Sequence, residues 1–222
     1  MNLFIVTGHT RGLGAALVER IARQPDNEIV ALGRAPDGPI PGGAQLQVDF
    51  ADLPALEAAF DRLEARFASR RFERAVLVNN AGVVSPVGML DRVDARELAA
   101  NLAENLVAPL VLMRRFLQAT ATLAKRRRVI NISSGAGRRA IFGWGAYCAA
   151  KAGLEMLTKV LAVEVRDATF RAVSLRPGVI DTDMQTVMRA QDEHNLPGVA
   201  MFRDFKSSGR LATPEDAALR IA

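Results

Sequence analysis

The first 23 residues of the chain constrain its fold more than any other stretch. A short apolar run at residues 3–7 leads into a glycine-rich turn, and an amphipathic helical pattern follows from Ala15 to Arg23. Glycines let a backbone approach a pyrophosphate, and a helix N-terminus offers free N–H groups and the positive end of its dipole. This order of strand, turn and helix predicts dinucleotide binding. The turn residues predicted to line the cofactor are Gly8, Thr10, Arg11, Gly12, Leu13 and Gly14.

Two alternatives stay open at this turn. Glycine-rich turns also occur where no ligand binds, because glycine adopts tight conformations without steric cost. His9 lies inside the turn, and we expect it to face solvent as an ordinary loop residue rather than to act as a catalyst.

Five further apolar strand patterns follow the first, and helical patterns separate them. Their residues are 28–33, 46–48, 75–78, 129–133 and 171–176. Strands that alternate with helices predict a parallel sheet with helices on both faces. The expected fold class is therefore α/β, with a single doubly wound domain over residues 1–222. The Pro/Gly-rich segment 35–43 is expected to be a loop, and Thr213-Pro214-Glu215 is expected to begin a helix.

The second strand ends at Arg34 rather than at an acidic residue. In dinucleotide folds an acid near this position binds the ribose 2′-hydroxyl, whereas an arginine accommodates a 2′-phosphate. Arg34, with help from Arg11, therefore predicts NADPH (or NADP+) as the cofactor in preference to NADH. The alternative is that Arg34 is a solvated loop charge. Asp49 follows the third strand and is placed to meet the adenine.

Two later segments lie where a bound cofactor would pass. The fourth strand pattern is followed by Asn79-Asn80-Ala81-Gly82, and the small or amide-bearing residues Asn80, Ala81 and Gly82 suit either close passage of a cofactor or an ordinary turn. Residues 95–123 form a long helical pattern that Pro109 interrupts. Because proline has no N–H, the carbonyl of Asn105 loses its usual helical partner. The result is either a simple kink or a place that holds a water molecule.

A serine, a tyrosine and a lysine form the candidate catalytic set. Tyr147 and Lys151 are four residues apart, so they project from one face of the helix predicted over 146–165. An ammonium beside a phenol is expected to lower the phenol's pKa from about 10 toward the neutral range. Ser134, at the end of the preceding strand, is placed to hold a substrate carbonyl against the phenol. A chance Tyr/Lys pair on a surface helix is the alternative.

Apolar side chains near this set predict a substrate pocket. Phe142 and Trp144 stand just before Tyr147, where their rings border the carbonyl site or simply pack in the core. Segment 181–208 contains methionines and phenylalanines, Met184 among them. Such adaptable side chains predict a mobile substrate-binding lid. A plain amphipathic connection is the alternative.

Composition narrows the classes of function. No apolar run reaches the roughly 18 residues of a membrane span, and no cysteine and histidine cluster indicates a metal. The single cysteine, Cys148, excludes an internal disulfide and is typical of a reducing cytoplasm. The formal net charge is +5, and the densest basic run covers residues 125–128. We expect this run to be a solvated connection rather than a nucleic-acid patch.

These motifs, in this order, resemble those of the short-chain dehydrogenase/reductase family over essentially the whole chain. They are Thr7-Gly8 through Gly14, Asn79-Asn80-Ala81-Gly82, Asn105, Ser134, Tyr147 with Lys151, and Pro177-Gly178. Segments 131–135, 143–148 and 177–185 are similar to the branch of benzil and sepiapterin reductases. The resemblance implies a Rossmann-type fold. Because family members usually continue into a seventh strand, we expect this chain to lack that strand and to leave its sixth at an exposed edge.

The resemblance also implies the roles of the candidate residues. Tyr147 would be the general acid, and Ser134 would position the carbonyl. Lys151 would bind the nicotinamide ribose and lower the tyrosine pKa. Asn105 would offer its backbone carbonyl to a water in a proton relay. Further residues implied at the cofactor are Pro177, Gly178, Val179 and Thr182.

Together these features predict an NADPH-dependent carbonyl reductase of a small ketone or vicinal dicarbonyl compound. We expect a cytoplasmic homodimer formed through the helices at 95–123 and 146–165, with no membrane, metal or nucleic-acid partner. One alternative is a 3-oxoacyl thioester reductase of the same family. The others are an NADP-binding protein without turnover and a nucleic-acid binder acting through residues 125–128.

Overall fold

The computed structural model describes residues 1–221 and shows the α/β fold that the sequence predicts. The strands are β1 (Asn2–Thr7), β2 (Asn27–Gly33), β3 (Gly38–Ile40), β4 (Gly43–Gln47), β5 (Phe72–Asn79), β6 (Ala124–Ile132) and β7 (Phe170–Leu175). The helices are α1 (Gly12–Ala22), α2 (Leu53–Phe67), α3 (Ala95–Leu102), α4 (Ala108–Thr120), α5 (Gly145–Glu164), α6 (Asp183–Arg189), α7 (Val199–Ser207) and α8 (Pro214–Leu219). A π-helical turn, Ala103–Val107, joins α3 to α4, and a 3-10 turn, Gly135–Gly137, precedes α5.

All the strands form one sheet in the order β3-β4-β2-β1-β5-β6-β7. Every neighbouring pair is parallel except β3 with β4. The strand β1 pairs with β2 on one side and with β5 on the other, so the strand order reverses there. In open sheets of this kind, ligands bind beyond the carboxyl ends of the strands at such a switch point.

The expected loop at residues 35–43 and the expected number of strands were both wrong. Residues 38–40, in the segment expected to be a loop, form a strand that pairs antiparallel with β4. Proline is tolerated in a sheet mainly at an edge, which is where Pro39 lies. The sheet therefore has seven strands rather than six, with the additional strand beside β4. At the other edge, as far as residues 1–221 show, lies β7, which exposes Val173.

Side chains alternate between the two faces of the strands, so the apolar core has two layers. On one face, α2, α4 and α5 bury residues such as Phe60, Phe116 and Leu154. On the other face, α1 and α8 bury residues such as Leu17 and Ala217. Because both faces of the sheet are covered, its inner strands read as nearly continuous apolar runs.

The stretch 95–123 is helical without a break from Ala95 to Thr120, and its α-helical pattern is interrupted beside Pro109, as expected. The interruption is the π-helical turn between α3 and α4, and Pro109 lies in the first turn of α4. Because proline has no N–H, it donates no helical hydrogen bond to the Asn105 carbonyl. The π-helical turn buries Asn105 completely, so the interruption holds a polar side chain inside the fold.

The basic run 125–128 lies in β6 and not in a connection. Lys125 and Arg126 both form ion pairs with Glu73 of the neighbouring β5, and Arg127 pairs with Asp167. Pairing with β5 and β7 supplies backbone hydrogen bonds that a local pattern of charges does not indicate.

Candidate active site

The glycine-rich turn crosses the carboxyl end of β1 with no room for side chains. Gly8 has a φ of +67°, and a Cβ there would lie 2.8 Å from Cα of Ala81. A Cβ on Gly14 would collide with the carbonyl oxygen of Gly8. The helix α1 begins at Gly12 without a side-chain cap from Arg11. The first N–H groups of α1 therefore have no side-chain cap and fit the pyrophosphate of a dinucleotide.

Thr7 and Asn80 join this turn to the end of β5. The Thr7 hydroxyl accepts hydrogen bonds from the backbone N–H groups of Asn80 and Ala81, each at 2.9 Å. The Asn80 amide donates to the carbonyls of Thr7 and Gly8, each at 3.0 Å. Asn80 and Ala81 thus lie beside the glycine turn, as predicted. No role was predicted for Thr7, although its position at the end of β1, directly before the glycine turn, could have indicated that it holds this turn.

The loop after β7 faces the glycine turn. A Cβ on Gly12 would lie 3.1 Å from Cγ2 of Thr182. Gly178 has a φ of +89°, and the carbonyl of Val179 accepts from Ala212 N–H at 3.0 Å. The predicted segment from Pro177 to Thr182 is therefore held close to the start of α1.

Three other predicted cofactor residues differ in how exposed they are to solvent. Leu13 is buried in the core under α1, so only its backbone is available to a cofactor. Thr10 is exposed in the turn. Asp49 is also exposed, and its carboxylate accepts from the N–H of Ala51 at 3.0 Å.

The two arginines predicted to hold a 2′-phosphate have different partners. Arg11 forms an ion pair with Asp183 at 2.7 Å, and both side chains are about two-thirds exposed (69% and 67%). An exposed pair of this kind contributes only about 0–1 kcal/mol, so Arg11 can exchange Asp183 for a phosphate at little cost. Arg34 is exposed at the end of β2, and no ion pair engages it within residues 1–221.

Asn105, Gly82 and Lys151 meet beside the loop after β5. The Asn105 side chain accepts from the N–H of Val83 at 3.2 Å and donates to its carbonyl at 2.8 Å. A Cβ on Gly82 would lie 2.6 Å from Oδ1 of Asn105 and 3.4 Å from Nζ of Lys151. The absence of a side chain at Gly82 lets these two groups approach the loop after β5.

The predicted catalytic side chains converge at the carboxyl end of β6. Lys151 is 4% exposed; its Nζ lies 5.5 Å from the centroid of the Tyr147 ring and donates to the carbonyl of Ile132 at 3.0 Å. Ser134 begins the 3-10 turn, and its hydroxyl accepts from the N–H of Ala136 at 3.2 Å. Two elements thus bring the groups together: α5 carries the phenol and the ammonium, and the turn after β6 carries the hydroxyl.

Burial controls the ionisation of this set. It raises the pKa of Tyr147 to about 12, and hydrogen bonding with the Ser134 hydroxyl offsets this only in part. It also lowers the pKa of Lys151 to about 8, against the charge of Glu104. The direction for Tyr147 is opposite to the one expected from the sequence because loss of hydration outweighs the hydrogen bond with Ser134. A phenol with this pKa is protonated at neutral pH and suits a proton donor.

Trp144 is buried beside the phenol. Its ring stands edge-on to that of Tyr147, with centroids 5.4 Å apart, and Phe202 lies against its other side at 5.7 Å. The sulfur of Met184 lies 3.9 Å from the phenol oxygen. Phe142, by contrast, is 48% exposed and stands outside this cluster of described residues. The structure therefore brings Trp144 and Met184 to the tyrosine but leaves Phe142 at the surface.

The segment predicted to be a lid folds as α6 and α7 and packs on the catalytic helix. Its side chains join Trp144 and Tyr147 in one apolar cluster. The buried members that it contributes are Met188, Leu196, Val199 and Phe202. A Cβ on Gly143 would lie 2.8 Å from the carbonyl of Asn195, which places the loop before α5 against this segment. The predicted mobility of the segment stays a prediction.

Two residues near the cofactor cleft were missed or wrongly interpreted. His9 is 7% exposed instead of facing solvent, and its Nδ1 has no hydrogen-bond partner within residues 1–221. It packs where a Cβ of Gly33 would be, 3.3 Å from Nδ1, so the glycine at the end of β2 was the available signal. Glu104 lies half-buried in the π-helical turn; burial raises its pKa, and the charge of Arg34 opposes this.

Residues 1–221 contain neither a metal-binding cluster nor a membrane-spanning helix. No group of three or more histidine, cysteine, aspartate or glutamate side chains there could hold a metal ion. None of the described helices combines the length and the apolar character needed to cross a membrane. Cys148 is a free, half-buried thiol whose sulfur lies 3.7 Å from the carbonyl of Arg139.

Comparisons with known proteins agree with this geometry. The family model for short chain dehydrogenase matches residues 2–193. Benzil reductase ((S)-benzoin forming) of Bacillus subtilis (strain 168) is 34% identical over 97% of this chain and 89% of its own length. Sepiapterin reductase of Rattus norvegicus is 33% identical over 83% of this chain and 76% of its own.

A solved structure supports the same relationship. A putative NAD(P) dependent gluconate 5-dehydrogenase from Beutenbergia cavernae, with bound NADP, has a TM-score of 0.81. It is 28% identical and aligns over 98% of this chain and 86% of its own. The similarity therefore extends from the sequence motifs to the arrangement of the whole sheet.

We expect Lys151→Met to abolish turnover and yet to stabilise the fold at pH 7. The pKa of Lys151 is lowered from 10.5 to about 8, so below pH 8 the folded state carries the full cost of a buried charge, about 3 kcal/mol. The lost hydrogen bond to Ile132 reduces the gain. The cost disappears as the pH rises from 8 to 10.5. Urea unfolding should show that the variant exceeds the wild type in free energy of unfolding by more at pH 7 than at pH 10.

The matched control is Lys159→Met, an exposed position on the same helix, which should change stability little at either pH. An advantage of Lys151→Met that is equal at both pH values would contradict the assignment of a buried, weakened ammonium.

Proposed function

This chain belongs to the short-chain dehydrogenase family, and from that premise we propose that it is an NADPH-dependent carbonyl reductase. It is an oxidoreductase of carbonyl and hydroxyl groups. The observation that carries the finer proposal is the meeting of Ser134, Tyr147 and Lys151 beside an apolar cluster of side chains. The proposed substrate is a small ketone or vicinal dicarbonyl compound.

In the proposed reaction Tyr147 gives its proton to the carbonyl oxygen of the substrate. The raised pKa keeps the phenol protonated at neutral pH, so it is ready to donate. Ser134 orients the carbonyl by a hydrogen bond from its hydroxyl. The nicotinamide, when bound, supplies the hydride. After transfer, the Lys151 ammonium, 5.5 Å from the ring centroid, stabilises the phenolate.

In the proposed reaction, Asn105 supports Lys151 and does not itself donate a proton. Its side chain is occupied by Val83 and by the carbonyl of Asn101, the latter at 3.0 Å. Only its backbone carbonyl is left for the proposed water. A proton entering by that route would restore Tyr147 through Lys151, whose lowered pKa of about 8 favours exchange near neutral pH.

The proposed cofactor site combines the glycine turn, the loop after β5 and the loop after β7. Its tight contacts leave space for a pyrophosphate but not for side chains at Gly8 or Gly14. Arg34 is the principal group proposed for the 2′-phosphate, because of the two candidate arginines it is the one that forms no ion pair within the described residues. Arg11 would contribute after leaving Asp183. The single thiol, Cys148, supports the accompanying proposal of a reducing, cytoplasmic location.

The apolar surroundings of the phenol support an aromatic or dicarbonyl substrate. Trp144 presents its ring edge-on to Tyr147, a geometry that favours further contact with aromatic groups. In segment 181–208, Arg189 and Lys206 both pair with Asp181, and Arg203 donates to the carbonyls of Arg189 and Gln191, so a charged carrier would have to displace these contacts. This observation weighs against the second candidate, a 3-oxoacyl thioester reductase.

We expect benzil and 1-phenyl-1,2-propanedione to give higher kcat/KM values than a simple aliphatic ketone or an acetoacetyl thioester. NADPH oxidation measured with each compound tests the proposal. A clear preference for the thioester would favour the second candidate instead. No turnover of any of the four, despite tight NADP+ binding, would favour a protein that binds the dinucleotide without catalysis.

In the same assay Tyr147→Phe should lower kcat by about 10²–10⁴-fold, since it removes the transferable proton. Binding of NADP+ should remain close to that of the wild type because the ring is kept. The neighbouring variant Cys148→Ser is the control and should retain turnover. An active Phe variant, or an inactive Ser variant, would refute the proposed acid.

NADPH should be preferred to NADH by tenfold or more, and Arg34→Asp should reverse or remove this preference. A hydrogen bond to a charged group contributes about 1.5–3 kcal/mol, and every 1.4 kcal/mol is about tenfold in affinity. Arg23→Asp makes the same change of charge at the far end of α1 and should leave the preference intact. Calorimetric titration with NADP+ and NAD+ measures both. Equal affinities in the wild type would contradict the assignment.

A homodimer through the α4 and α5 faces completes the proposal. Met156, Val160 and Val163 are exposed on α5 at spacings of four and three residues, and Leu110 is exposed on α4. Such an apolar row on a helix indicates an interface.

We expect light scattering to give twice the 24.0 kDa of one chain, and Val160→Arg to shift the protein to monomer. Leu53→Arg places the same charge at an exposed position on α2 and should not. A wild-type monomer at micromolar concentration would contradict the dimer.

A further inference from the structure

A buried carboxylate lies behind the catalytic residues and takes no part in the reaction described above. Glu155 is on α5, four residues after Lys151, and its side chain is only 9% exposed. Carboxylates are rarely buried to this degree unless they are paired, because loss of hydration is costly. Glu155 therefore requires a specific set of partners.

Three side chains from three segments supply them. The Ser133 hydroxyl donates to Oε1 of Glu155 at 3.0 Å. The Nε of Arg138 donates to Oε2 at 3.1 Å, and the Nε of Arg176 lies 3.2 Å from Oε1. Burial acts to raise the pKa of Glu155, but the hydrogen bonds from Arg138 and Ser133 and the charge of Arg176 lower it overall. The group is therefore an anion at neutral pH.

Each partner adjoins a part of the active site. Ser133 precedes Ser134, and successive side chains of an extended strand point to opposite sides, so a fixed Ser133 orients Ser134 toward Tyr147. Arg138 ends the 3-10 turn that Ser134 begins. Arg176 precedes Pro177 and Gly178 in the loop after β7.

The backbone packing agrees with this arrangement. A Cβ on Gly137 would lie 3.0 Å from the carbonyl of Lys151, so the 3-10 turn touches α5 at the catalytic lysine. A shift of this turn would thus move the serine relative to both the phenol and the ammonium.

We propose that Glu155 is a positioning residue for carbonyl reduction, which holds Ser134 and the Pro177–Gly178 loop in register with the catalytic helix. This inference rests on the proposed function for its kinetic consequence. It assigns Glu155 no contact with the reacting atoms. The carboxylate acts through Ser133, Arg138 and Arg176, which it joins to one point on α5.

Glu155→Gln tests the proposal, because the amide keeps the shape and removes the charge. We expect kcat for the best diketone to fall by about 10- to 100-fold, the loss that a small misplacement of catalytic groups produces. The Kd for NADP+ should rise by less than kcat falls, because the glycine turn is untouched and only the Pro177–Gly178 part of the proposed cofactor site is loosened. Glu155→Asp keeps the charge and should recover part of kcat. Glu164→Gln, at an exposed site on the same helix, should match the wild type.

A double variant, Glu155→Gln with Ser133→Ala, shows whether the loss of kcat comes from misplaced catalytic groups or from a weakened fold. If Glu155 acts through Ser133, the double variant should lose little more kcat than Glu155→Gln alone. Independent, multiplied losses would overturn the proposed route through Ser133. A kcat within twofold of the wild type for Glu155→Gln, at unchanged Tm, would overturn the proposal as a whole.

Hydrogen exchange gives a readout that does not depend on turnover. In Glu155→Gln, amides of residues 134–138 and 176–179 should exchange at least tenfold faster, while β1 and α1 should remain as in the wild type. If no carbonyl compound is reduced by the wild type, the proposed function fails, but the exchange result still decides whether Glu155 holds these segments. Unchanged exchange in both segments would refute the holding role.

Discussion

The buried ammonium of Lys151, bonded to the carbonyl of Ile132 at the end of β6, is the contact on which the site depends. Placing this charge inside the fold is unfavourable, so neighbouring elements must be arranged around it. Asn105 and Gly82 approach it from one side, and α5 carries it from the other. The glycine after β5 and Asn105 of the π-helical turn lie close to the amine, and the 3-10 turn before α5 contacts the backbone of Lys151.

Exclusion of water raises the pKa of Tyr147 and lowers the pKa of Lys151. It disfavours the phenolate of Tyr147 and the ammonium of Lys151, so each side chain is shifted toward its neutral form. A protonated phenol donates, whereas a lysine near its pKa exchanges protons with little driving force. In the proposed reaction this difference in pKa, rather than a lowered tyrosine pKa, favours proton transfer from Lys151 through Tyr147 toward the substrate.

Features that depend on neighbouring residues in sequence were predictable, and features that depend on distant partners were not. The four-residue spacing of Tyr147 and Lys151, and the strand, turn and helix at the N-terminus, follow from local periodicity and were found as predicted. The alternation of strands and helices likewise gave the correct fold class.

The errors have a common physical cause. His9 is buried because Gly33, on another strand, leaves space for its ring. Residues 125–128 form a strand because β5 and β7 lie on either side. The partners of Glu155 come from three segments that no spacing rule connects.

The π-helical turn has a consequence for insertions and deletions. A π-helical turn closes with i→i+5 hydrogen bonds, so it holds one residue more than an α-helical turn. Loss of one residue from Ala103–Val107 would therefore close it into a regular α-helical turn and leave α3 and α4 in nearly the same register. Phe116 would stay in the core, and Asn101 would still donate to the carbonyls of Val83 and Ser85, as it does at 3.1 and 2.8 Å. Asn105, inside the turn, would lose its two hydrogen bonds with Val83. A single-codon deletion at this point can thus leave a folded protein whose active-site loop has lost its support.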